Sequence, residues 1–502
     1  MKEELFTYEY FEKVLFEGEK VSISQSVLDK IDESYRFVEQ FSVDKVIYGI
    51  NTGFGPMAPY HIDDADRRQL QYNLIRSHCS GSGNHIPPLY VKSAMLCRLV
   101  NIMQAKSGIH PDCALLLRDL INNDITPVMF EHGGVGASGD LVQLAHLALC
   151  MIGEGDVYYH GELMPAVEAM NQCGLKPVDI HLRDGLSLIN GTSVMTGISV
   201  VNLLYTNKLF GWALMAGSML NEMDDAYDDS FSKELNSAKR HKGQQDVAAA
   251  MRDILSGSRL IRKRQNHLYN RIVTEKVMNE KVQEYYSLRC IPQILGAVCD
   301  TIRYTAEIVN NEVNSSNDNP VVDITTSNVY HGGNFHGDYI SLEMDKLKIV
   351  VTRVAMLVER QLNYLLNPKL NEKFAPFVNL GTPGLTLGMQ GVQFTATSTT
   401  AECQTLSYPN YVHSIPNNND NQDIVSMGTN SALITRKVIE NAFEVLSVYY
   451  MALIQGIDNI KATGQMADAT AAVYHTLRSM VPAFAEDQVH YKNIAKIKQY
   501  LV

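Results

Sequence analysis

Residues 338–366 and 431–457 constrain this chain more than any other part of it. Both stretches, DYISLEMDKLKIVVTRVAMLVERQLNYLL and SALITRKVIENAFEVLSVYYMALIQGI, repeat apolar residues every 3.6 positions, over lengths well beyond the usual helix of about 11–12 residues. Helices that are apolar over so much of their surface must pack against one another, within a chain or between copies. The segment 90–108 carries the same stripe at positions 91, 95, 99, 102 and 103, with Gly108 as its expected stop. The fold expected is therefore mainly α: a long central helical bundle with a smaller mixed N-terminal part, in which Val46-Ile47-Tyr48 reads as a short strand. No repeat or Pro-rich linker marks a sharp cut, and the division expected is 1–195 and 196–502.

The totals remove several classes of function. With 502 residues, 45% of them hydrophobic, the chain can bury more than one core, since single cores stop growing at roughly 250–300 residues. A net charge of −12 repels phosphate backbones, so no nucleic-acid partner is expected. The basic run Arg259 to Arg264 reads as a solvated helix face or a subunit contact. The eight cysteines are scattered singly and read as reduced core residues. No run of about 18 uncharged apolar residues could span a bilayer, and Met-Lys-Glu-Glu-Leu lacks the order of a secretion signal. A soluble, cytoplasmic protein is expected.

Between the helices sit polar islands: NGTS (190–193), QEYYSLRC (283–290), NSSNDNP (314–320), HGGNFHGD (331–338) and NNNDNQDIVSMG (417–428). Asn, Asp and Gly favour turns for local reasons, so any one island alone is an ordinary turn. Five in one helical body point instead to loops that a rigid scaffold holds for chemistry. His331 and His336 lie five apart with two glycines between them and no cysteine near, which suits neither a helix face nor a zinc knuckle. No metal site is expected.

The stretch HGGVGASGDL, from His132 to Leu141, has three readings. Gly134-x-Gly136-x-x-Gly139 matches the dinucleotide fingerprint and precedes a helix, which would make the chain an NAD-dependent oxidoreductase. Pro127 interrupts the strand that motif needs, and strands and helices do not alternate afterwards. A nucleophile elbow would read G-x-S-x-G, and Asp140 stands where its last glycine belongs. In the third reading the amide nitrogen of Gly139 attacks the carbonyl carbon of Ala137 and closes a five-membered ring around Ser138. Glycine, without a Cβ, reaches such a strained conformation at least cost. Loss of water then leaves the serine side chain as an exocyclic alkene, an electrophile that no ordinary side chain offers. A plain helix-opening loop capped by Ser138 is equally compatible with these residues.

GGVGASGDL closely resembles the signature of the aromatic amino acid ammonia-lyases and related aminomutases. YGINTGFG, NGTS, YYSLRC, NDNP, GGNFHGD and NQDIVSMG follow in that family's order over nearly the whole chain. The resemblance implies that Ala137, Ser138 and Gly139 form 4-methylideneimidazole-5-one (MIO) autocatalytically, with no metal and no NAD. It implies Tyr48 as the base that removes the β-proton, and a phenol must be brought below its usual pKa of about 10 to work near neutrality. It implies Arg289 as binder of the substrate carboxylate, for which a planar two-pronged cation is suited. Gln283 and Tyr286 would line the electrophile and substrate, Asn190 would polarise the carbonyl of the prosthetic group, and Phe335 would pack on the substrate ring. The architecture implied is a helical homotetramer whose sites draw on several subunits.

Two positions bear on the ring. Ser77-His78 resembles histidine ammonia-lyases, whereas Gln422 stands where those enzymes commonly carry glutamate and where tyrosine and phenylalanine enzymes carry glutamine. A neutral amide fits a phenol at less desolvation cost than a carboxylate does, and a phenylalanine ring would leave His78 unpaired. KVIYGINTGFGPMA and SIPNNNDNQDIVSMGTNSALI look most like bacterial tyrosine ammonia-lyases that keep Ser-His. The activity expected is conversion of L-tyrosine to trans-4-coumarate and ammonia, with L-histidine to urocanate as the alternative; the same groups would also serve an aminomutase.

Overall fold

Helices Ser193–Met223, Ile291–Val313, Asp338–Leu366 and Gly428–Ile460 dominate the structure, a computed structural model that describes residues 6–270, 272–278 and 280–502. The two periodic stretches chosen from sequence are thus helical throughout, the second extended at both ends. Among the described residues there are 20 α-helices against seven short strands, and the fold is mainly α. None of these helices is long and apolar enough to cross a membrane.

The chain divides into two compact units, each assembled from separated segments. The first holds Met1–Leu204, Thr305–Asp345 and Pro409–Arg436; the second holds Tyr205–Tyr304, Lys346–Tyr408 and Lys437–Val502. Where the sequence suggested a change at 195/196, the first crossing comes between Leu204 and Tyr205, inside a helix. A boundary in mid-helix leaves no Pro, Gly or polar linker to read.

In the first unit the helix Pro88–Met103 is central: from Tyr90 to Ile102 all residues but Lys92 are buried, not only the expected stripe. It stops at Met103 rather than near Gly108, because Gln104 closes the last turn and Ala105 takes a left-handed φ of 54°. Val46 and Ile47 are irregular and a turn begins at Tyr48, so none of the three is in a strand. The Asn51 side chain accepts from the Ile47 amide at 2.9 Å, and the Ile47 carbonyl accepts from Ile50 and Asn51, so both backbone groups of Ile47 are spent locally and cannot join a ladder. Val38, Ile47, Ile50, Val322 and Val329 form an apolar cluster that anchors this turn to the hairpin Val321–Asp323/Asn328–Tyr330. Every paired strand among the described residues is antiparallel, which removes the parallel βαβ unit that a dinucleotide site needs.

In the second unit Val445, Leu446, Tyr449, Tyr450, Leu453 and Ile457 are all fully buried, as the helical period requires. The basic run is not a helix face. Residues 256–263 are turn and loop, and Arg264–His267 is a single turn. Arg262 pairs with Asp225 at 3.0 Å, and Arg264 pairs with Asp229 while lying over the Tyr227 ring.

Candidate active site

Ser138 sits where four of the polar islands of the first unit converge. Its carbonyl oxygen accepts from the Gly191 amide at 3.3 Å and from Asn190 Nδ2 at 3.4 Å; its hydroxyl accepts from Gln422 Nε2 at 3.0 Å. Asp140 N donates back to the Gly191 carbonyl at 2.8 Å, so the two glycine loops clasp each other. Gly139 has φ +70°, and a Cβ there would stand 1.9 Å from the Gly191 oxygen, which admits no other residue. Ala137 packs in a small apolar cluster with Val425 and Met427. Gly136 completes the grip: its carbonyl accepts from the Ser426 hydroxyl at 3.0 Å and from the Gly337 amide at 3.4 Å. The triplet is thereby held by hydrogen bonds from both flanks, with two N–H donors aimed at the Ser138 carbonyl. Such a pair can stabilise negative charge on that oxygen.

Asp140, next in line, is fully buried. Its Oδ2 accepts from Val194 N and Met195 N, both at 2.9 Å, at the start of the helix Ser193–Met223, and its Oδ1 accepts from the Thr429 hydroxyl. Burial pushes its pKa up to about 6 despite these donors. A carboxylate raised in the folded state holds its proton more tightly there than when unfolded, so it lends stability below pH 4 that is lost as pH rises through 6. Relative to Asp140→Asn, the thermal midpoint of the parent protein should therefore rise on acidification from pH 7 to 5. The gain across that range is about 1.4 kcal/mol, one pKa unit's worth, and calorimetry of both proteins from pH 7 to 5 checks it.

Tyr48 projects from the turn described above, and its hydroxyl accepts from the Gly55 amide at 2.9 Å. Its pKa is raised by burial, with the Gly55 amide acting the other way; the depression expected of a base is not supplied by its surroundings in this chain. Buried Gln71 ties this loop to the rest: its Nε2 donates to the Gly49 carbonyl and its Oε1 accepts from Leu186 N, both at 3.0 Å. Leu186 lies in the helix Asp184–Ile189 that leads into Asn190. The Tyr48 amide donates to His331 Nε2 at 3.3 Å, and His336 Nε2 meets the Ile424 carbonyl at 3.2 Å, so these histidines hold loops.

His78 ends the helix Arg67–His78, and its Nδ1 lies 2.9 Å from the Leu74 carbonyl. A carbonyl only accepts, so Nδ1 carries the proton and neutral His78 offers Nε2 as an acceptor. Phe335 is half-buried in the turn before Gly337. Gln422 pairs through its backbone with Asn417 while its amide reaches Ser138.

Gln283, Tyr286 and Arg289 belong to the second unit and line a cavity of about 880 Å³ with Tyr285, Arg360 and Asn363. Arg289 donates to Gln283 Oε1 and lies 4.7 Å over the Tyr286 ring, which is 69% exposed. An arginine held by a neutral amide and an aromatic face keeps its charge available to an anion.

Sequence reasoning missed Gln71, Asp140, His331 and Ser426 as supports of these loops. Asp140 and Ser426 lay inside stretches already singled out, but nothing in spacing shows which neighbour a buried side chain will hold.

A helical body that clamps an Ala-Ser-Gly turn beneath convergent N–H donors defines a class, and comparison with known proteins states it. The chain belongs to the aromatic amino acid lyase family, whose model matches residues 6–479. It is a carbon–nitrogen lyase of the ammonia-lyase group. It is 35% identical over 490 residues to the histidine ammonia-lyase of Geobacillus thermodenitrificans, covering 97% of this chain and 94% of that protein. It is also 35% identical over 488 residues to the tyrosine 2,3-aminomutase of Chondromyces crocatus, covering 96% and 92%. The crystal structure of the tyrosine aminomutase of Streptomyces globisporus superposes with a TM-score of 0.95 at 33% identity, over 99% of this chain and 95% of that one.

Proposed function

We propose that this enzyme eliminates ammonia from L-tyrosine to give trans-4-coumarate. The observation that carries the choice of ring is Gln422, a neutral amide whose side chain stands 3.0 Å from Ser138 Oγ. The group that Ala137, Ser138 and Gly139 would form, 4-methylideneimidazole-5-one, would supply an electrophilic alkene of the kind an amine needs to become a leaving group. The residues present fit that group: glycine alone fits at 139, and the Ser138 carbonyl, which becomes the ring carbonyl, already has two donors. Asn190 and Gly191 then stabilise charge on that oxygen. Tyr48 removes the β-proton, Arg289 binds the carboxylate, and Gln283, Tyr286 and Phe335 enclose the substrate. His78 Nε2 accepts from the phenol hydroxyl, a bond that phenylalanine cannot make. The working form is a homotetramer whose sites draw on several subunits, in keeping with the exposure of Tyr286.

A second reading is favoured by the tyrosine aminomutases among the relatives: the same groups would return ammonia to the β-carbon and release β-tyrosine. One enzyme batch assayed on tyrosine, histidine and phenylalanine, with chromatography of products, separates these. Coumarate from tyrosine is expected as the main product. Dominant urocanate would overturn the choice of ring, and dominant β-tyrosine the choice of reaction. His78→Leu should move preference toward phenylalanine.

A further inference from the structure

Beneath the Ser138 carbonyl lies a buried ion pair. Arg98, in the helix Pro88–Met103, and Asp318, in NSSNDNP, have side chains with no exposure and meet at 3.1 Å. The same Arg98 Nη2 donates to the backbone carbonyls of Asn190, at 2.7 Å, and Ser187, at the end of the helix Asp184–Ile189. Nη1 is so near Gly191 that a Cβ there would stand 2.6 Å from it. Beside Asp318, the Asn319 amide donates to Asn190 Oδ1 at 2.8 Å, which turns Asn190 Nδ2 toward Ser138. Asn317, on the other side, donates to the Thr192 hydroxyl at 2.7 Å.

Stability is a poor reason to keep such a pair. Desolvating two charges rivals their attraction, and apolar residues of similar size in their place often leave a protein as stable or more so. Burial pulls the Arg98 pKa down, while Asp318 and Asp140 hold it up; an arginine remains charged in either case. What the pair does is hold the Ser187 and Asn190 carbonyls, the backbone that leads into the Gly191 amide. Resting on the lyase reading above, we propose that Arg98 and Asp318 are positioning residues, whose ion pair fixes Asn190 and Gly191 so that both N–H groups converge on the Ser138 carbonyl oxygen.

The test compares the full-length parent, Arg98→Met/Asp318→Leu, Asp318→Asn and Asn190→Ala, and adds Asn190→Ala to each of the first two variants. Electrophile content is counted by its absorbance, and kcat is expressed per electrophile. The apolar pair should keep the parent's melting temperature within a few degrees while kcat falls about 10²- to 10³-fold with KM within about twofold, as for loss of a positioned donor. Adding Asn190→Ala should then cost less than about twofold more, because the two changes act through one group. Parental kcat in the apolar pair, a fully additive further loss, or an electrophile that forms in Asn190→Ala but not in the pair variants would each overturn the proposal. Should the apolar pair fail to fold, Asp318→Asn is judged by the same criteria, and failure of both to fold makes the pair structural and the proposal wrong. A parent protein inactive on every amino acid offered would instead refute the lyase reading.

Discussion

Replacing Ser138 by alanine should abolish turnover, by at least about 10³-fold, and remove the near-ultraviolet absorbance of the prosthetic group, with the melting temperature close to the parent's. The expected size follows from losing the group that makes the bond rather than one that assists it, as when a nucleophile is deleted from a hydrolase. Stability should hold because the clasp around the triplet is made by backbone groups at 136, 140 and 191, and the one side-chain bond of the uncyclised serine, from Gln422 to the oxygen that leaves as water, is worth only about 1 kcal/mol. The measurement is an absorbance spectrum, a steady-state assay and a melting curve on the same preparation. Retained activity would show that the electrophile is not made at this triplet.

Tyr48→Phe should cost about 10²- to 10⁴-fold in kcat, the usual worth of a positioned general base, while leaving the absorbance intact. Only the hydroxyl and its bond from the Gly55 amide are lost. The parent should also show a distinctive pH profile. Burial raises the phenol above its ordinary pKa of about 10, so the base form is scarce at pH 7 and increases about tenfold per unit of pH. Activity in the parent should climb from pH 7 to 9, and the climb should vanish in Tyr48→Phe. A profile flat across that range would contradict a base that titrates as its own chain's surroundings dictate.

Gln71 shows why the arrangement of these groups escaped sequence reading. It is a buried polar residue within the helix Arg67–His78, seven positions before His78, and its spacing is that of a core-facing position. Only in three dimensions does its amide join the Gly49 carbonyl of the Tyr48 loop to Leu186, just ahead of Asn190. Tyr48 itself was chosen from a supposed strand that proved to be the entry to a turn closed by Asn51. The residue was proposed on its motif, whereas the backbone just before it, at Ile47, depends on the Asn51 side chain four positions further on. Gln422 was chosen for its effect on the substrate ring, and its bond to Ser138 could not be read from the sequence.

Local periodicity was sufficient to specify helices over 338–366 and 431–457, since an apolar repeat of 3.6 can be buried in only one kind of element. The order of the polar motifs likewise sufficed to specify the family. The joining of 138 to 190 and 422, of 98 to 190 and 318, and of 71 to 49 and 186 was decided by tertiary structure alone. Their contacts join positions tens to hundreds of residues apart, and a buried donor or acceptor takes whichever partner the packed helices bring within about 3 Å.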